Sequence, residues 1–272
     1  MRIAVIGHVE HVTIARVPAL PAPGDIVHLD HPAVIAGGGG GIAFFQFARS
    51  PAELHLFTAL GNDDAAWAVE SRIAATGSHV YAARRDKPHT RDVVLVTPDG
   101  ERTIVVIGEP LHPRHDDPLP WQMLAACDAA HFTAQDPEAL KLARRARLLV
   151  VTARRAQALG RSGVRADVVV GSAVDPREAS SLADYAVPPA ALIMTDGAHG
   201  GSVETSDGVL RFIAPASEPA VGAYGAGDSF AAALTWYLAR DLPLVEACTR
   251  AAHHGAAVLR GVNPIEHQLP LE

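Results

Sequence analysis

Short apolar runs alternate along this chain with longer segments of helical spacing. The strand-sized runs are Ile3 to Ile6, Glu53 to Ala59, Ala129 to Thr133, Leu148 to Thr152, Val168 to Val170 and Ala191 to Thr195. Between them, Ile42 to Arg49, Ala65 to Thr76 and Pro137 to Arg145 have helical length and pattern. Strands that are apolar throughout must be covered on both faces, so the rhythm predicts an α/β fold with a mostly parallel sheet between helical layers. Two regions break it. Val12 to Ile35 and His89 to Ile107 carry short β-like pieces, and Val93 to Thr97 with Arg102 to Ile107 reads as a hairpin turning at Pro98-Asp99-Gly100. They predict a small β-sheet beside the main one. Near the end, a glycine turn at Gly225 opens a helix to about Arg240, and a second helix runs from about Leu244 to Leu259. His112 to Pro120, rich in Pro, Asp and His, reads as an exposed loop.

Composition narrows the function classes. The 272 residues are 49% hydrophobic, enough for a sizeable core, and the net charge of −7 with scattered arginines excludes a basic stripe for nucleic acid. No apolar run is long enough to cross a bilayer, and Met1 to Gly7 reads as a buried strand, so no membrane partner is expected. Cys127 and Cys248 lie in apolar stretches without further partners for zinc and read as buried reduced thiols, which fits a cytoplasmic location. The fourteen histidines give no transition-metal site: His8 and His11 are three apart on an extended segment, and His112 and His115 bracket a proline.

Candidate chemistry concentrates in Gly222-Ala223-Tyr224-Gly225-Ala226-Gly227-Asp228, which runs directly into Ser229 to Leu238. Small residues at a helix mouth crowd backbone N–H groups together and attract an anion. Asp228 inside that nest repels a phosphate, yet it suits a substrate hydroxyl that must lose its proton beside a transferred phosphoryl group. The combination suggests a kinase. Gly37 to Gly41, ahead of Ile42, reads as a stretch of bare backbone that a small polar ligand approaches closely, with amides offered to its hydroxyls. Gly61-Asn62-Asp63-Asp64 suits the start of a helix.

Taken in order, these pieces resemble the ribokinase-like, or phosphofructokinase B, family of carbohydrate kinases. The resemblance spans almost the whole chain: the strand ending at Gly7, Gly37 to Gly41, Gly61 to Asp64, Thr90 with its hairpin, Thr195-Asp196-Gly197 with Gly200-Gly201, and Gly225 to Asp228. It implies a three-layer α/β/α sandwich over residues 1–272 with a β-sheet lid from segments 9–35 and 88–107. It further implies ATP and Mg2+ as cofactors and a sugar-like substrate between sheet and lid. Asp228 would be the general base, with Gly225, Ala226 and Gly227 as the anion hole. Thr195, Gly197, Gly200, Gly225 and Gly227 would meet nucleotide phosphates, and His253 and Ala256 would line the adenine site. Asp175 falls at the acidic residue that organises the metal. The substrate set would be Gly38, Gly39, Gly40, Ile42 and Asp228. Similar lids often pair to form homodimers.

The sequence departs from the family pattern at several positions. Ile42 stands where an Asn usually ends the glycine run, Val12 where an Asp usually reaches the sugar, and Gly222 where an acid usually opens the final motif. Glu10 and His8, on the same side of an extended strand as Val12, are the substitutes within reach of that pocket. An ATP-dependent sugar kinase is the leading expectation. A nucleoside kinase, with Phe44, Phe45 or Phe47 as an aromatic wall, and a non-catalytic sugar- or nucleotide-binding homologue are the alternatives.

Overall fold

The computed structural model describes residues 1–216 and 219–272. In chain order the elements begin with β1 (Arg2–Ile6), β2 (Glu10–Arg16), β3 (Ala33–Gly37), α1 (Gly38–Phe47), β4 (Glu53–Leu60), α2 (Asp64–Ala74) and β5 (His79–Arg84). Then come β6 (Arg91–Val96), β7 (Arg102–Ile107), β8 (Ala129–Phe132), α3 (Pro137–Ala143), β9 (Leu148–Thr152), α4 (Ala156–Ser162), β10 (Val168–Ser172) and β11 (Ala191–Thr195). The chain closes with β12 (Gly201–Thr205), β13 (Gly208–Phe212), α5 (Ala226–Ala239), α6 (Leu244–Val258) and α7 (Pro264–His267).

Nine strands form one sheet in the order β13-β12-β11-β10-β9-β8-β1-β4-β5. Its pairs are parallel from β11 to β5, and the two pairs at the other edge, β11–β12 and β12–β13, are antiparallel. The period of two along β1 sorts its side chains into two cores. Ile3 and Val5 pack with Phe44 and Phe47 of α1, Val69 of α2 and the inner faces of α5 and α6. Ala4 and Ile6 pack with Phe57, Trp121, Phe132 and the apolar faces of α3 and α4. The result is the expected three-layer sandwich.

The second sheet has four strands in the order β3-β2-β6-β7, with β2 and β6 parallel and both outer pairs antiparallel. Its inner side buries Val12, Ile14, Ile35, Val94 and Val96 against Ile42 and Tyr224, fastening the lid to the main body. Asp63 caps α2 by accepting from the Ala66 amide at 3.1 Å, accepts from the His89 amide at 3.2 Å and pairs with Arg91 at 2.9 Å. One carboxylate therefore joins a helix start to the root of β6.

Two expectations change here. The glycine run is not a loop feeding a helix from Ile42: it forms the first turn of α1, capped by Gly37. His112 is buried, with its ring 4.8 Å from that of His8, so the start of the proline-rich stretch is an inward-facing segment. No helix among the described residues is long and apolar enough to cross a membrane.

Candidate active site

The chain order along the sheet reverses between β1 and β8, and at such a switch point the connections leave in opposite directions and open a crevice at the carboxyl ends of the strands. His8 and Glu10 follow β1 into this crevice, Thr133 follows β8, Arg154 and Arg155 follow β9, and Asp175 and Glu178 follow β10. The first turn of α1 crosses the end of β1 at van der Waals contact. A Cβ on Gly40 would lie 2.5 Å from the His8 carbonyl oxygen, and one on Gly7 would lie 2.9 Å from the Gly40 Cα. Gly38 has a φ of +75° and would place a Cβ 2.9 Å from Glu10 Oε2. A Cβ on Gly39 would meet Asp228 Oδ1 and Thr133 Oγ1 at 3.1 Å and His8 Cε1 at 3.6 Å. A carboxylate, a hydroxyl and an imidazole thus converge on one bare α-carbon.

This geometry corrects part of the expected substrate set. Gly38 and Gly39 border the cleft, but Gly40 is packed against the end of β1 and Ile42 is fully buried under the lid beside Val12. Two amides of the glycine turn are also already satisfied by protein. The Gly38 N–H donates to the Tyr224 hydroxyl at 3.0 Å and the Gly39 N–H donates to His8 Nε2 at 3.3 Å. Tyr224 and His8 therefore brace this turn, and fewer of its amides face a ligand than the sequence suggests. Phe44 and Phe47 are fully buried in the core, so they form no aromatic wall.

At the opposite wall, Gly225 caps α5 with a left-handed φ of +79°, and the first helical bond runs from the Ser229 amide to its carbonyl at 3.0 Å. The N–H groups of Ala226, Gly227 and Asp228 precede that bond and belong to the unpaired donors of a helix start. The Asp228 carboxyl is pushed above its ordinary value, first by loss of solvent and next by the Glu178 charge, while Arg154, Arg102 and Arg155 pull it back. Across the cleft, Glu10 and Asp92 are buried together, and burial plus mutual repulsion raise the Glu10 carboxyl, so the pair retains a proton. Burial, helped by the Arg155 charge, lowers His8 to about 3 and His112 to about 2, so both rings are neutral hydrogen-bonding groups.

The expected nucleotide residues gather at the ends of β11 and α6. Thr195 Oγ1 donates to the Gly171 carbonyl at 3.2 Å, and the Asp196 amide donates to the Gly200 carbonyl at 2.8 Å, closing a tight turn. Gly197 and Gly200 both have positive φ, and a Cβ on Gly200 would clash with the Phe212 carbonyl oxygen at 2.1 Å. His253 is exposed on α6 and Ala256 is half-buried one turn later, while His254 points inward to the Tyr237 hydroxyl at 3.0 Å. α6 reaches the turn that opens α5, since a Cβ on Gly255 would stand 3.2 Å from the Ala226 carbonyl oxygen.

The carboxylates after β10 do not fit direct magnesium ligation. Asp175 accepts from the Arg177 amide, Nε and Nη2, each at 3.0 Å, and from Arg154 Nη2 at 2.9 Å, which holds it well below the usual carboxylate range. Glu178 accepts from Arg154 at 2.6 Å and from the Ser172 amide at 3.1 Å. Every oxygen of the two is engaged by a donor. Asp175 is a partner of two arginines here, and Glu178 is the acid whose charge bears on Asp228.

Sequence reading missed Thr133, Arg155, His112, Asp92 and Glu178. Thr133 immediately follows β8, so the switch-point rule was a usable signal for it, whereas Arg155 lies three residues beyond the end of β9. His112 and Asp92 sit on the lid side and carry no local motif.

Residues 1–270 match the model of the pfkB family carbohydrate kinases, and the chain belongs to that family. No curated protein sequence matches it. Among solved structures it is similar to a ribokinase from Thermotoga maritima, with 17% identity, 99% of this chain and 96% of that chain covered, and a TM-score of 0.79. It is also similar to the adenosine kinase from Sinorhizobium meliloti, with 19% identity, 97% and 95% coverage and a TM-score of 0.78. A third is an Arabidopsis thaliana ribokinase complexed with ribose and ATP, with 15% identity, 98% and 95% coverage and a TM-score of 0.74. These likenesses establish a ribokinase-like fold.

Proposed function

We propose that this chain works as one kinase unit that transfers the γ-phosphoryl group of ATP to a hydroxyl of a small sugar-like substrate held between Gly38, Gly39, Glu10, His8 and the lid. The observation that carries this reading is the Asp228 carboxylate at the free N-terminus of α5, against the bare backbone of Gly39. Asp228 takes the hydroxyl proton as the substrate oxygen bonds to the γ-phosphorus and the bond to the β-phosphate oxygen breaks, releasing ADP. The Ala226, Gly227 and Asp228 amides meet the charge that develops on the transferred group, as fixed dipoles that need no reorganisation. Thr195, Gly197 and Gly200 face the nucleotide phosphates, and His253 with Ala256 borders the base. Mg2+ would arrive with the nucleotide and neutralise charge on its phosphates, while Asp175 and Glu178 are engaged by arginines.

ADP release from MgATP across sugars, polyols, sugar acids, sugar phosphates and nucleosides tests the reading. Asp228→Asn lowers turnover by about 10²–10⁴-fold, the usual contribution of a positioned base, while ATP binding stays near wild type. Equal loss of ATP binding and turnover would remove Asp228 from the role of base. Binding of a sugar with no ADP from any compound would favour the non-catalytic alternative.

The lid also supports a homodimer. β7 is its edge strand, and Ile104, Val105, Val106 and Ile107 are 41%, 50%, 49% and 51% exposed. An apolar edge of that kind pairs with another strand unless charge or cover prevents it. Sedimentation equilibrium is expected to show a dimer that Val105→Lys with Ile107→Lys converts to monomer.

A further inference from the structure

Among the described residues, the other half-buried arginines are matched with acids. Arg85 forms a two-pronged pair with Asp117 at 2.6 and 2.7 Å, and Arg144 pairs with Asp167 at 2.6 Å. Arg155 is different. Its Nε donates to the Thr133 carbonyl at 2.8 Å, which fixes the plane of the guanidinium at the ends of β8 and β9, and among the described residues neither terminal nitrogen has an ion-pair or hydrogen-bond partner. Thr133 is the residue whose hydroxyl meets Asp228 and His8 around Gly39, so its carbonyl anchors Arg155 at the floor of the same cleft. Of the acids whose charge bears on Arg155, Glu10 is buried with Asp92 in a pair that retains a proton, and among the described residues neither Asp228 nor Glu178 bonds to the guanidinium. Arg155 is half-buried and unpaired at its terminal nitrogens, and it is lowered to about 10, with burial the main cause and the neighbouring Arg154 charge next. A fold retains such a group where a ligand completes it.

We infer that Arg155 is a specificity-determining residue for an oxyanion on the substrate, so that the acceptor is an acidic sugar, a sugar acid or a sugar phosphate, rather than a neutral one. This rests on the kinase reading above. With Nε held by Thr133, the two terminal N–H groups point as a fork, the arrangement that receives two oxygens of a carboxylate or phosphate. His8 and His112, both neutral, sit beside the fork as partners for hydroxyls of the same molecule. The anionic end then lies at the β8–β9 side, and the hydroxyl to be phosphorylated is left to Asp228.

The test compares glucose, gluconate and glucose 6-phosphate, with ribose, ribonate and ribose 5-phosphate beside them, by ADP release in wild type, Arg155→Met and Arg155→Lys. The expected result is a kcat/KM for one anionic series about 100-fold above its neutral parent, as charged hydrogen bonds of this kind supply. In Arg155→Met that ratio collapses, mainly through KM, and Arg155→Lys recovers part of it. The acid and phosphate arms tell the two sources of the oxyanion apart. Preference for the neutral parent overturns the inference, as does an equal fall in kcat on neutral and anionic compounds, which would place Arg155 on the transferred phosphoryl group. Should no compound be turned over, calorimetric titration of gluconate and glucose 6-phosphate separates the two claims. Binding that Arg155→Met abolishes keeps the anion site and rejects the kinase, while binding of neither rejects the site. A thermal melt adds an independent readout: relief of an unmatched charge makes Arg155→Met melt above wild type, whereas an arginine serving only as structural cement would make it melt below.

Discussion

Single positions set the tightest limits on this site. Gly38→Ala has no room, because its φ is left-handed and the added carbon would stand 2.9 Å from Glu10 Oε2. Substrate KM is expected to rise at least tenfold, by initial-rate kinetics, with the melting temperature also lowered. Tyr224→Phe removes the acceptor of the Gly38 N–H and leaves a buried amide unpaired, a cost of about 1–3 kcal/mol measurable by urea unfolding. Asp228 must be ionised to accept a proton, and its carboxyl is raised, so kcat falls as pH drops through a value above the ordinary 3.8. Glu178→Gln removes a negative neighbour and should move that acid limb to lower pH. Asp228 was legible in the sequence because its glycine turn and helix are contiguous. Arg155 was not, since its meaning lies in the partner it lacks, and no stretch of sequence records that Thr133 and Glu10 come to stand beside it.

Elements were read most faithfully where one-dimensional pattern and three-dimensional burial agree. β9 and β11, sealed on both faces, have the bounds their apolar runs predict. β5 escaped because it is the sheet's outer strand and mixes exposed and half-buried positions, and β12 and β13 because glycine and polar residues mask a hairpin at the other edge. The start of α1 was placed four residues late, because glycine discourages a helix on its own and only the crossing with β1 demands it there. Asp63 shows how two elements depend on one side chain. Asp63→Ala removes the α2 cap, worth about 1 kcal/mol, and also frees Arg91 and the His89 amide. Hydrogen exchange is expected to rise together at the start of α2 and along β6, and a change confined to α2 would show that the lid is anchored elsewhere.

Across the whole molecule, buried neutral histidines govern acid stability. His8 is lowered to about 3, His112 to about 2, and His89, His131 and His254 to about 4, with burial the leading cause in each. Below pH 6.5 the unfolded chain takes up protons that the folded chain refuses, so each ring costs about 1.4 kcal/mol of stability per pH unit until its folded value is reached. Glu10 and Asp92 act in the opposite sense but return only part of this loss, since they share one buried site. Melting temperatures should therefore fall steeply between pH 6.5 and 4, and His131→Phe or His254→Phe should flatten the slope. The lid edge at β7 adds a dependence of another kind. If two copies seal those strands together, the lid over the cleft is held steady only while molecules meet, and specific activity becomes a function of how much protein is present. Dilution would then slow each remaining molecule as well as reduce their number, so that the protein's own abundance sets its throughput.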